Sequence, residues 1–391
     1  MKIVKTLVLA STLLSFISCK GSPHETPIDE VVPQLAVVDS KPVAPVKPAT
    51  IQIALLLDTS GSMQGLIDQT KTQLWNLVNK MTYAHCNEVQ AHIEIALYEY
   101  GNSALPEQED YLRQIVPFST DLDQISKELF ALDINGGDEY CGAVISHATE
   151  SLEWRNGKHD LKMIFIAGNE SFLQGHTSID AVMGAAAQKD ITVNTIFCGD
   201  AQTGISLKWK NGAKLGKGEY TVINHNQKTH YVSTPYDDQI LQLNTRLNDT
   251  YVAYGAQGAS KSVQQVANDA ELESVSVTAN VTRSVVKSKS VYKNAEWDLI
   301  DAADDVEMLE DLIIANKKTL APELKDKSVA EIKEITLAKK SERAQIQKRI
   351  LKLNEQREAY MKTQNTGANE LENAMVNAVK RKAAALNYTW E

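Results

Sequence analysis

A chain of 391 residues, 43% hydrophobic and 23% charged, is long enough to bury a full core with residues to spare and too apolar to be disordered throughout. Its formal net charge of −10 gives a field that repels nucleic acid and anionic lipid, so no nucleic-acid partner is expected.

Lys2 and Lys5 precede an apolar run from Leu7 to Ile17, which ends in Phe16-Ile17-Ser18-Cys19. This charged, apolar, small pattern reads as a signal peptide over residues 1–18. Ser18 before Cys19 resembles a lipobox, with Phe16 in place of the usual leucine, and implies lipidation of Cys19; the alternative is a plain signal peptide whose cysteine is incidental. No later stretch approaches the ~20 apolar residues that span a bilayer. The expected product is therefore an exported lipoprotein, held in the cell envelope by its anchor and facing the periplasm or the cell surface. Residues 19–49 carry Pro23, Pro27, Pro33, Pro42, Pro45 and Pro48, which disfavour helix and central strand and predict an extended tether.

Ile51 to Leu57 is a continuous apolar run ending at Asp58-Thr59-Ser60-Gly61-Ser62, the pattern of a buried parallel strand entering a polar loop. Leu66, Leu74, Leu77, Val78 and Met81 recur at helical spacing over 65–80. Strands are predicted at 92–100 and 112–118, and Ser119-Thr120-Asp121 predicts the cap of a helix carrying Leu122, Ile125, Leu129 and Phe130. Helix over 141–152, strand over 161–167, helix over 177–189 and strand over 191–197 follow. A last strand at 220–223 and a closing helix at 237–247 complete the series. Alternation at this spacing predicts an α/β fold, a doubly wound and mostly parallel sheet, over residues 50–254. From about residue 255 the composition changes, first to Ala, Ser and Val and then to charged residues, predicting a mainly helical region over 255–391. There Ile332, Ile335, Ile346, Ile350, Leu353 and Tyr360 mark a long amphipathic helix. It is expected to pack on neighbours such as Leu309, Leu312 and Ile313, since Lys339 and Glu342 break the heptads of an intermolecular coiled coil.

Asp58, Ser60 and Ser62 form D-x-S-x-S directly after the first strand, where ligands collect in open α/β sheets. One carboxylate and two hydroxyls at alternating positions of a tight turn offer three hard oxygens, the ligand type of divalent cations such as Mg²⁺. Here the sequence resembles the von Willebrand factor type A family, whose metal-ion-dependent adhesion site opens with this motif. The resemblance covers about residues 51–254. It implies a Rossmann-like fold and a Mg²⁺ (or Ca²⁺ or Mn²⁺) held by the two serines directly and by Asp58 largely through water. It also implies an open coordination position for an acidic residue of a protein partner.

Two positions depart from the family pattern. Where a threonine usually follows paired glycines, Gly136-Gly137 is followed by Asp138-Glu139, either of which could replace it. Where the third loop usually carries an aspartate, this chain has Gly168, and Glu170 is the nearest acid able to reach inward. Catalysis finds little support. Ser60 interrupts the Asp-Thr-Gly turn that aspartic proteases use, no second copy occurs, and no G-x-S-x-G elbow or zinc-type histidine pair is present. Beyond Cys19, Cys86, Cys141 and Cys198 remain. Cys141 and Cys198 are expected at one edge of the sheet, where a disulfide would pin the second loop; two free thiols, or a bridge from Cys86, are the alternatives. The reading is thus of a non-enzymatic, cation-assisted binding module of the envelope, with a structural scaffold whose degenerate site holds no metal as the competitor.

Overall fold

The computed structural model describes residues 48–224, 232–303, 305–364 and 370–390. The expected signal peptide, Cys19 and nearly all of the expected tether lie outside the described residues. Described elements run β1 (Thr50–Asp58), α1 (Gln64–Met81), β2 (Ala84–Cys86), β3 (Val89–Gln90), β4 (His92–Tyr100), β5 (Leu112–Ser119), α2 (Leu122–Phe130), α3 (Cys141–Ser151), β6 (Leu161–Gly168) and α4 (Ile179–Gln188). After these come β7 (Thr192–Cys198), α5 (Ala201–Ser206), α6 (Trp209–Leu215), β8 (Lys217–Ile223) and α7 (Asp237–Asn248). The C-terminal region adds α8 (Gly258–Val275), α9 (Val277–Lys287), α10 (Leu299–Ala302), α11 (Val306–Asn316), α12 (Pro322–Lys325), α13 (Val329–Thr363), α14 (Glu370–Ala384) and β9 (Tyr388–Trp390).

Six strands form a sheet in the order β5-β4-β1-β6-β7-β8, parallel except for β5. Because side chains alternate across a strand, β1 divides its residues between two cores: Ile51, Ile53, Leu55 and Leu57 face one side, Ala54 and Leu56 the other. Both cores are apolar, so β1 reads as an unbroken hydrophobic run. α3, α4 and α6 cover the second face. The first face is covered by α1 and α7 and, beyond the expected domain limit at 254, by α8, α9, α13 and α14.

The C-terminal region is accordingly part of the same body: residues 47–391 form one compact unit, and the predicted boundary at 255 separates no second one. Two buried ionic clusters tie it down. Arg283 of α9, fully buried, donates to Asp123 of α2 and to Asp269 of α8, both at 2.6 Å, and lies 4.5 Å from the centre of the Trp75 ring. Lys287, one turn on, bonds Asp269 at 2.9 Å and Asn248 Oδ1 at 2.5 Å. Arg343 of α13 bonds Asp298 at 2.7 Å and covers the Tyr251 ring at 3.9 Å. As predicted, α13 packs within its own chain, with Ile332 joining Leu309 and Ile313 in a small separate core and Ile346, Ile350 and Leu353 entering the main one. A feature that periodicity did not signal is the final strand: β9 pairs antiparallel with β2, and Tyr388 donates from its hydroxyl to the His159 carbonyl at 2.9 Å. No helix among the described residues is long and apolar enough to cross a membrane.

Candidate cation site

At the carboxyl end of β1 the chain turns sharply. The Ser60 amide donates to Asp58 Oδ1 at 2.7 Å and the Met63 amide to the Ser60 carbonyl at 3.0 Å, so the loop folds back into α1 within a few residues. This brings Ser60 and Ser62 hydroxyls to 3.3 Å from each other. Asp58 and Ser60 are buried while Ser62 is exposed, so the cluster has a floor and a mouth.

Of the three acids expected to join the Asp58 cluster, one is brought to it. Glu139, the residue before the N-cap of α3, is 2% exposed and turns its carboxyl onto Asp58 and Ser60. The Glu170 amide donates to Glu139 Oε2 at 3.2 Å, fixing that orientation. Asp138 points outward and is exposed, accepting from Gln174 Nε2 at 3.3 Å. The Glu170 side chain is exposed too, because its backbone is committed on both sides: its carbonyl accepts from Trp209 Nε1 at 2.7 Å. Asp138 and Glu170 are therefore not brought into the cluster. Asn169, which sequence reasoning passed over, is. Its carboxamide donates to Ser62 Oγ at 3.0 Å, and its buried Oδ1 has no partner.

Burial, then the neighbouring Glu139 charge, pushes the Asp58 carboxyl well above its usual range; burial pushes Glu139 up as well. Asp58 Oδ2 is buried with no hydrogen-bond partner. Such an arrangement is costly for the isolated protein and would be relieved by a cation. Gly101, at φ +80°, makes the approach possible, since a β-carbon there would fall 2.9 Å from both Asp58 Oδ1 and Glu139 Cγ.

Gly168 has an equally definite cause. A β-carbon at this position would meet the Tyr100 hydroxyl at 2.5 Å, Asp58 Oδ2 at 3.1 Å and Trp209 at 3.2 Å. Tyr100, buried and donating to the Ala167 carbonyl at 3.0 Å, fills the space an aspartate would need. The oxygen set is thus Asp58, Glu139, Ser60, Ser62 and the Asn169 amide. It fits a hard divalent ion, with two carboxylates, two hydroxyls, an orphaned buried oxygen and an exposed mouth. No cluster of three or more His, Cys, Asp or Glu suited to a metal occurs among the described residues.

The expected disulfide is absent. Cys86, Cys141 and Cys198 are buried free thiols. Cys141 belongs to the core on the α3/α4 face and Cys198 to the core on the α1 face, so the sheet lies between them. The sulfur of Cys141 donates instead to the Tyr100 hydroxyl at 3.8 Å.

With fold and site in hand, comparison with known proteins identifies the class. Residues 52–208 match the von Willebrand factor type A domain, and the chain contains such a domain there, a module whose general role is protein–protein interaction. No curated protein matches the chain. Among solved structures, the SpRpn10 VWA domain shares 13% identity, with 45% of this chain and 88% of that one covered and a TM-score of 0.34. The conserved hypothetical protein BatB from Bacteroides thetaiotaomicron shares 14%, over 57% and 99%, with a TM-score of 0.34. Proximal thread matrix protein 1 from the mussel byssus, described with a zinc-occupied MIDAS motif, shares 11%, over 46% and 43%, with a TM-score of 0.33.

Proposed function

We propose that this protein is a non-enzymatic binding module that takes up a divalent cation, Mg²⁺ or else Mn²⁺ or Ca²⁺, and uses it to engage an acidic residue of a protein partner at the cell envelope. The observation that carries the reading is the buried Asp58–Glu139 pair with the unpartnered Asp58 Oδ2, beside two hydroxyls at an open mouth. A bound ion supplies positive charge and a coordination position for the partner's carboxylate. Asp58, Glu139, Ser60 and Ser62 would hold it, and Asn169 would offer its carboxamide oxygen. Glu139 in place of a neutral hydroxyl adds negative charge, which strengthens the hold on the ion and weakens its pull on an incoming acid. The lipobox-like sequence at Cys19 supports membrane attachment through a lipid anchor, with Pro-rich residues between anchor and domain.

Calorimetric titration of the full chain with Mg²⁺, Mn²⁺ and Ca²⁺ tests the site. Wild type is expected to bind at least one ion in the millimolar range or tighter, and Asp58→Ala to abolish binding with its circular dichroism unchanged. Because burial raises both carboxyls and a cation binds their ionised forms, affinity is expected to fall as pH is lowered, measurable by repeating the titration across a pH series. A wild-type protein that binds none of the three ions sinks the proposal and leaves the scaffold reading in place.

A further inference from the structure

On the outer side of the third site loop, Leu173, Ile205, Lys208, Lys210, Lys214 and Tyr220 line an open groove of about 1060 Å³. Leu173 is 50% exposed and Ile205 38%, large apolar surfaces that gain by being covered. The three lysines come from one short stretch at α6, and all are exposed. No ion pair engages them among the described residues, and the acid of the lining, Glu219, is already held by Arg381. A chain with net charge −10 thus presents a locally cationic, partly apolar strip beside its cation site.

The groove and the site are parts of one rigid construction. The Phe172 amide donates to the Leu207 carbonyl at 3.0 Å, the Phe172 ring packs edge-on against Trp209 at 5.1 Å, and Trp209 bonds the Glu170 carbonyl. Asn169 at one end of this loop touches Ser62, and Leu173, four residues on, forms the groove wall. Four extended residues span at most ~14 Å, so one short peptide reaches both places.

We infer that the groove is the second half of the binding surface and takes an extended acidic–apolar segment of the partner protein. One carboxylate of the segment lies at the cation site, an apolar side chain on Leu173 and Ile205, and further acidic residues against Lys208, Lys210 and Lys214. Only the first contact rests on the cation reading.

A random-peptide library panned on the full chain in Mg²⁺ supplies the probe, the enriched peptides then being synthesised with a fluorophore and titrated. Enriched sequences are expected to combine Asp or Glu with Leu, Ile or Phe within about four residues. Reversing Lys208, Lys210 and Lys214 together to Glu is expected to weaken peptide binding by ~10-fold or more and to remove most of its salt dependence, while calorimetry finds cation affinity unchanged. Leu173→Asp with Ile205→Asp tests the apolar half with the same expectation. Peptides lacking acids, or affinities unmoved by both variants while cation binding persists, overturn the groove. Acidic peptides that bind equally in chelator and to Asp58→Ala, yet lose affinity on the lysine reversal, leave the groove standing and remove the cation reading instead.

Discussion

Gly168 looks from sequence like a damaged ligand position, yet the atoms around it leave no room for a side chain there. With the Tyr100 hydroxyl 2.5 Å from where a β-carbon would stand, Gly168→Ala is expected to destabilise the protein by ~1–3 kcal/mol through overpacking. Gly168→Asp, which restores the family pattern on paper, adds a third acid beside Asp58 and costs more. Combining Gly168→Ala with Tyr100→Phe removes the clashing oxygen, so the double variant should be less destabilised than the sum of the single ones, as a denaturant cycle would measure. Additive effects would show that the hydroxyl is not the obstacle. The D-x-S-x-S residues were legible because they are contiguous and follow a strand. The choice of Glu139 over Asp138 was not, because it depends on which side chain faces inward where α3 begins. Tyr100 and Trp209 reach Gly168 only through sheet register and helix packing, which no local pattern encodes.

The helices that hold the C-terminal region to the sheet depend on charge as well as on apolar contact. Burial works against the Asp269 carboxylate, but Lys287 and Arg283 outweigh it and hold its ionisation well below the usual 3.8. A carboxyl depressed in the folded state stabilises above its unfolded value and loses that contribution as pH falls below about 3.8. Asp269→Asn removes that contribution at every pH and leaves Arg283 and Lys287 short of a partner, so acid unfolding monitored by tryptophan fluorescence should move to higher pH, with a shallower pH dependence below about 3.8; a midpoint unchanged from wild type would show that the carboxylate contributes nothing. Arg283→Met strands Asp123 and Asp269 in a buried setting and is expected to cost ~3–5 kcal/mol in urea denaturation. A cost under ~1 kcal/mol would mean that apolar packing alone seats α9. Lys287, whose pKa burial lowers to about 8, acts in the opposite sense: its penalty is present below pH 8 and relaxes as pH rises toward 10.5. The sequence signalled α13 through spacing, but not Arg283 or Lys287 as core residues, because a charged residue reads as surface until its partners from distant elements are known.

At the scale of the whole molecule, composition marked a change at residue 255 that structure does not treat as a boundary. Val281, Val285, Ile350, Met375 and Val379 sit in the same apolar core as Ile53 and Leu74. Ending the chain after Tyr254 would expose that face, so the truncated protein is expected to aggregate or to lose its cooperative thermal transition, measurable by calorimetry. A monomeric, cooperatively melting product would show that 50–254 is self-sufficient after all. The main strands and helices of 50–254 were legible because each announces its own period, whereas β2, β3, α5 and α6 are too short to do so; the return of β9 to β2 was not legible either, since three residues carry too little pattern and their partner lies some three hundred positions away. One consequence concerns mechanics. β1 enters the unit at Thr50 and delivers Asp58 to the cation site, paired in continuous parallel register with β4 on one side and β6 on the other. Tension between the residues ahead of Thr50 and a partner gripped at Ser60 and Ser62 would run along this one central strand. Its flanking hydrogen bonds would share the strain in shear all at once, whereas pulling across the sheet would open them one after another.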